Sequence, residues 1–210
     1  MKKREIRQHY CSYVESKHRP PAKLKKFLKF SGITKEDFKK KYSGLCAVEA
    51  DIWRSSLRDL LKTLNNSADF AVYTNRERGL AMMFAWFEFM EENRVFFSSC
   101  FKHRPWEVFT CDILRDFKKE SGKFVNKIIK QGAMCDEFKN REFINRHMAK
   151  IFWPVFLQNL KLWTAKGKKR KNEEWMDALI EKSMTFFFDS LAPNLFDSLF
   201  DFLKHANSQK

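Results

Sequence analysis

Four lysines, Lys35, Lys39, Lys40 and Lys41, crowd the stretch FSGITKEDFKKKYSG at residues 30–44, with Glu36 and Asp37 among them. At about 100° per residue along a helix, Phe38 and Tyr42 share one face. Glu36 and Lys40 then lie opposite Phe38, and Lys35, Lys39 and Lys41 fall on the flanks. Cations disposed around an anchored helix suit the oxygens of a phosphate backbone, which supplies affinity but little sequence information. Glu36 could accept a hydrogen bond from cytosine N4, so Glu36 and Lys40 are the best-placed base readers. This chemistry is ionic binding rather than bond making. No GxSxG, HExxH, GxxxxGK[ST] or GxGxxG pattern occurs. Cys100 and His103 stand three apart, but without a second ligand pair they read as a thiol and a surface imidazole. Neither catalysis nor a cofactor nor a metal is expected.

The elements that must position these lysines are legible nearby. Ile6, Tyr10, Tyr13 and Val14 recur at helical spacing and predict a first helix over about 3–16. The Pro pair at 20–21 ends it and offers a rigid entry to a second helix over 22–30, with Leu24, Phe27 and Leu28 inward and Lys23, Lys25, Lys26 and Lys29 outward. Gly32 can take the left-handed conformation that closes a helix, and Thr34 with Asp37 makes a capping-box-like start for a third over 35–42. Two short helices joined by a Gly-containing turn and braced by a longer one describe a helix-turn-helix, whose second helix enters the major groove.

The remaining pattern is also helical. Val48, Ile52, Trp53, Leu57, Leu60, Leu61 and Leu64 predict a long helix after Gly44, and NNSADFAVYT reads as a loop. RERGLAMMFAWFEFMEEN is apolar nearly all round and predicts a buried helix. Further helices are expected over 94–103, 106–131, 138–165, 172–191 and 195–205, with Pro154 inside one of them and a basic linker at 165–172. The chain has 210 residues with 23 Phe and 6 Trp against 6 Gly and 5 Pro, which favours long helices packed through aromatics over a turn-rich sheet protein. Residues 1–45 carry 14 Lys/Arg and 4 Asp/Glu, a net of +10 out of +15. That asymmetry points to a polyanion-facing end. Five cysteines (11, 46, 100, 111, 135) at irregular spacing argue against a disulfide framework and for a reducing cytoplasm. The N-terminus lacks the apolar core of a signal peptide, and no apolar run approaches the ~20 residues of a membrane span, so stable membrane insertion is not expected.

Residues 6–53, and GITKEDFKKKYSGLCAVEADIW above all, resemble the N-terminal domain of tetracycline-repressor (TetR) family transcriptional regulators. Gly32, Ile33, Thr34, Phe38, Tyr42 and Ala47 fall where that pattern wants them. The remainder, including DALIEKSMTFFFDSLAPNLFDSLFDF, is similar to the C-terminal region of a divergent branch. The resemblance implies an all-α protein of about nine or ten helices, with a DNA-binding domain at 1–45 and an effector-binding and dimerisation domain at 46–210. It implies a ligand-responsive regulator, expected to be a repressor, acting as a homodimer through helices 138–165 and 172–191 on double-stranded DNA with a palindromic operator. The DNA-facing set is Lys23, Lys25, Thr34, Lys35, Glu36, Lys39, Lys40, Lys41 and Tyr42. A pocket for a small hydrophobic effector is expected from Met83, Trp86, Phe87, Phe101, Trp106 and Phe109, since Met and aromatic side chains make adaptable apolar cavities. The runner-up reading keeps this fold but binds a lipid, another hydrophobic ligand or a protein partner without reading DNA. Glu36 and Asp37 at the head of the recognition helix favour it, as does Leu45 where the family carries a phosphate-contacting Lys.

Overall fold

The computed structural model describes residues 2–103, 113–138, 142–165 and 174–189. Among them are ten α-helices and no strand: α1 (Lys3–Lys17), α2 (Leu24–Ser31), α3 (Lys35–Lys39), α4 (Leu45–Asn65), α5 (Ala68–Val72), α6 (Asn75–Glu92), α7 (Arg94–His103), α8 (Arg115–Met134), α9 (Glu142–Ala165) and α10 (Glu174–Asp189). The expected helix over 195–205 lies outside the described residues, as does the stretch before 113 that was expected to open α8.

Local chemistry sets the boundaries at the N-terminal end. His18 takes a left-handed conformation (φ 50°) to close α1 ahead of the prolines. α2 starts two residues later than expected, because Lys23 is extended and its carbonyl accepts the first helical bonds from the Lys26 and Phe27 amides at 3.0 and 3.4 Å. Gly32 closes α2 with φ 68°, a conformation that costs a side-chain-bearing residue more. α3 stops at Lys39 rather than running on to residue 42. The Lys41 and Tyr42 amides both bond the Phe38 carbonyl, at 3.0 and 2.9 Å, tightening the final turn. The segment read as a loop after α4 contains the short α5. Burial of Phe70 anchors it, and Arg78 donates to the Phe70 and Ala71 carbonyls at 3.2 and 2.8 Å, satisfying the end that a short helix leaves open.

The described residues of Met1–Ser67 and Ala85–Ser121 form one compact unit, and those of Ala68–Phe84 and Gly122–Lys210 a second. In the first, α1 packs on α2, α4 and α7: Tyr10 meets Phe27 of α2 and Phe96 of α7, while Ile6 and Val14 of α1 and Val48, Ile52 and Leu57 of α4 are buried. Trp53 is fully buried, with Phe97, Phe101 and Phe117 edge-on to it at 4.8, 5.8 and 5.6 Å between centroids. Between Gly79 and Met90 of α6 only Glu88 is exposed, as its all-round apolar pattern predicted.

In the second unit α9 and α10 pack together, Phe152 meeting Phe187 at 5.7 Å, while Phe188 stacks on Phe138 at 5.6 Å. A Cβ on Gly79 would lie 2.6 Å from the Phe188 ring, so only glycine permits that approach. The Glu137 carboxylate caps the start of α6: it accepts from the Asn75 amide (2.9 Å), the Asn75 side chain (2.8 Å) and the Arg76 amide (2.8 Å).

Candidate nucleic-acid interface

The geometry of α2, the turn and α3 follows from their capping. Thr34 is extended ahead of α3, and its Oγ1 accepts from the Asp37 amide at 3.1 Å while its hydroxyl donates to the Asp37 carboxylate. Asp37 is thereby occupied by its own helix; its only ion pair among the described residues, with Lys40 at 3.7 Å, is long and solvated. Lys23, Lys25, Lys35, Glu36, Lys39, Lys40 and Lys41 are all exposed, as are Lys26 and Lys29. The cations of this small motif are therefore all open to solvent, with Glu36 an exposed acid among them.

The inner side is aromatic. Phe38 is fully buried, 6.0 Å from Phe27 and 6.0 Å from Tyr42, and Phe27 continues to Tyr10 at 5.7 Å and Tyr13 at 6.4 Å. A chain of rings thus runs from α3 into α1. The Phe27–Phe38 and Phe27–Tyr13 pairs are edge-to-face, a geometry that adds about 0.5–1.5 kcal/mol each beyond the area buried.

Tyr42 stands on this inner side. Its ring is 5% exposed, and its hydroxyl donates to the Asp51 carboxylate at 2.6 Å. Asp51 also accepts from Arg7 of α1 at 2.9 Å and from Arg54 of α4 at 2.6 Å. Burial by itself would raise the Asp51 carboxyl; the hydrogen bonds from Tyr42, Arg7 and Arg54 together with the Arg7 charge outweigh it and hold the group below the ordinary carboxylate range. The Tyr42 phenol moves the other way, raised by burial and then by its bond to Asp51 and that group's charge. Two residues earlier, the fully buried Glu49 accepts from the Tyr10 hydroxyl at 2.9 Å. Two acids of α4 therefore tie α1 and the turn after α3 to α4. In the sequence, both read as ordinary polar positions of a long helix. The one available signal was that 49 and 51 flank the apolar stripe beginning at Val48.

Of the residues expected to line an effector pocket, Trp86, Phe87 and Phe101 are buried in the first unit and Met83 in the second. Trp106 and Phe109 lie outside the described residues. Trp86 and Phe101 come together on Trp53, at 5.7 and 5.8 Å, with Phe97 and Phe117 completing the cluster. Trp53, Phe97 and Phe117 were not anticipated in this cluster, since their own helices already account for them as core.

Among the described residues the chain is all-helical, with a capped, cation-faced helix pair toward one end and an aromatic-rich helical remainder. Residues 78–205 match the family model described as Tetracyclin repressor-like, C-terminal domain. The chain belongs to the tetracycline-repressor-like family, whose members are regulators and not enzymes. No curated protein matches it. The matched region begins inside α6, so the reading of α1–α4 stands on their own geometry. Among the described residues no helix is long and apolar enough to cross a membrane.

Proposed function

We propose that this protein is a dimeric, ligand-responsive DNA-binding regulator of the cytoplasm, acting as a repressor, with residues 1–45 as the DNA-binding domain and 46–210 as the effector-binding and dimerisation domain. The observation that carries the reading is the division of the α3 turn into two faces. Lys35, Lys39, Lys40 and Lys41 are exposed, while Phe38 and Tyr42 fasten the opposite side to α1, α2 and α4. α3 and the turn to residue 42 enter the major groove. Lys23, Lys25, Lys35, Lys39 and Lys41 hold phosphates, and Lys40 and Glu36 face base edges. Thr34 and Tyr42 act by fixing the motif. A twofold dimer through α9 and α10 sets two such helices about 34–36 Å apart and calls for a palindromic operator. Phe186, 65% exposed on α10, supports that surface. A small hydrophobic effector opposes DNA binding through reciprocal coupling of about 1–3 kcal/mol.

The test is fluorescence-anisotropy binding to fragments from upstream of the protein's own gene, beside scrambled duplex, at two salt concentrations. A preference for the upstream fragment that Lys39→Ala/Lys40→Ala removes, with the log–log salt slope reduced by about 1 for the phosphate contact of Lys39, is the expected result. Equal and weak binding to both duplexes would instead favour a lipid- or partner-binding protein that does not read DNA. The exposed Glu36 in the lead turn is the observation on that side.

A further inference from the structure

Within the first unit, three buried donors lack acceptors: the Nε of Arg54, whose guanidinium is already paired with Asp51, and two indoles of one aromatic cluster. The indole Nε1 groups of Trp53 and Trp86 are shielded from solvent and neither has a hydrogen-bond partner. Both residues are 0% exposed, and their rings lie 5.7 Å apart. Buried polar groups of native proteins are nearly always paired, and an orphan pair in one cluster calls for a physical reason. An indole nitrogen is a donor only, so whatever satisfies it must present an acceptor. The rings in contact with the two indoles belong to Phe89, Phe97, Phe101 and Phe117. None of them carries a charge that would offset a buried carboxylate, whereas a neutral carbonyl enters apolar surroundings at far lower cost.

We propose that Trp53 and Trp86 form the polar end of the effector site, and that the effector is a flat apolar molecule bearing a neutral hydrogen-bond acceptor such as a ketone or quinone carbonyl. This rests on the regulator reading above and deepens it by naming the ligand's chemistry. The placement also gives the ligand a route to the reading head. Trp53 lies on α4 within one turn of Asp51 and Glu49, the acids that hold Tyr42 and Tyr10. Displacing the Trp53 ring moves the helix that carries both ties.

A matched set of probes tests it on the full chain: 2-acetylnaphthalene, its acceptor-free analogue 2-ethylnaphthalene, and 2-naphthoate as the anion, titrated by quenching of tryptophan fluorescence. The acetyl compound is expected to bind at least about tenfold more tightly than either of the others. Replacing the Trp53 or Trp86 indole by benzothiophene keeps the shape and removes the N–H, and it should abolish that preference while leaving 2-ethylnaphthalene binding unchanged. Trp53→Phe and Trp86→Phe serve as simpler counterparts. Equal binding of all three probes, tighter binding of the naphthoate, binding of none, or a preference that survives both benzothiophene replacements would overturn the inference. DNA binding is measured in parallel. Operator recognition without an acceptor preference sinks only the ligand assignment, and an acceptor preference without operator recognition sinks only the regulator reading.

Discussion

Replacing Asp51 by alanine isolates the tie between the turn after α3 and the rest of its unit. Asp51 is 6% exposed and accepts three short hydrogen bonds, from Tyr42, Arg7 and Arg54. Breaking a buried charge pair by removing one partner costs about 3–5 kcal/mol. Arg7 and Arg54 retain side-chain exposures of 23% and 34% and can rehydrate, which puts Asp51→Ala at the lower end, about 3 kcal/mol. Tyr42→Phe removes a single hydroxyl–carboxylate bond and leaves the arginine pairs, for a loss of about 1–2 kcal/mol. Urea denaturation at neutral pH reads both values, and the Tyr42→Phe/Asp51→Asn cycle should show a coupling of about 1 kcal/mol or more. The pH dependence has a definite sign. The folded Asp51 carboxyl lies below its unfolded value of about 3.9, so its contribution is present above that pH and is lost as pH falls through the folded value. Wild type should therefore keep its advantage over Asp51→Asn at pH 5–7 and surrender it only below about pH 4. Equal midpoints for wild type and Asp51→Ala, or a cycle with no coupling, would refute the view that this carboxylate holds α3 in place.

Other outcomes follow from the same structure. Glu137→Ala strips three hydrogen bonds from the start of α6 and should cost about 1–2 kcal/mol in thermal or urea unfolding, with Glu137→Gln retaining part of the loss. Thiol titration of the native protein should label the exposed Cys46 and Cys135 quickly. Cys11, half-buried with its thiol pushed up to about 11 by burial and then by the Glu15 charge, should react slowly, and the buried Cys100 only on unfolding; labelling of Cys11 as fast as that of Cys46 would contradict its placement. Phe186→Glu should shift sedimentation from dimer to monomer without changing helicity, and an unchanged dimer would move the interface away from α10.

The helical class, the α2–turn–α3 motif and the outward set of lysines were all legible in the sequence because each depends on contacts a few residues long. Gly32 stops one helix, Thr34 and Asp37 start the next three residues apart, and the 3.6-residue period sorts Phe38 from its charged neighbours. Helix ends were less certain by two or three residues, since competing turn bonds such as those to the Phe38 carbonyl decide them. The short α5 escaped detection because no five-residue helix is stable by itself, and it exists through the burial of Phe70 and the Arg78 bonds. The roles of Glu49, Asp51 and Trp53 were beyond the sequence altogether. Glu49 finds Tyr10 across 39 residues and Asp51 finds Arg7 across 44, while Trp53 gathers phenylalanines from α7 and α8. Periodicity tells which face of a helix is buried, but which acid meets which donor depends on how distant helices cross, and that is settled only when the whole chain packs.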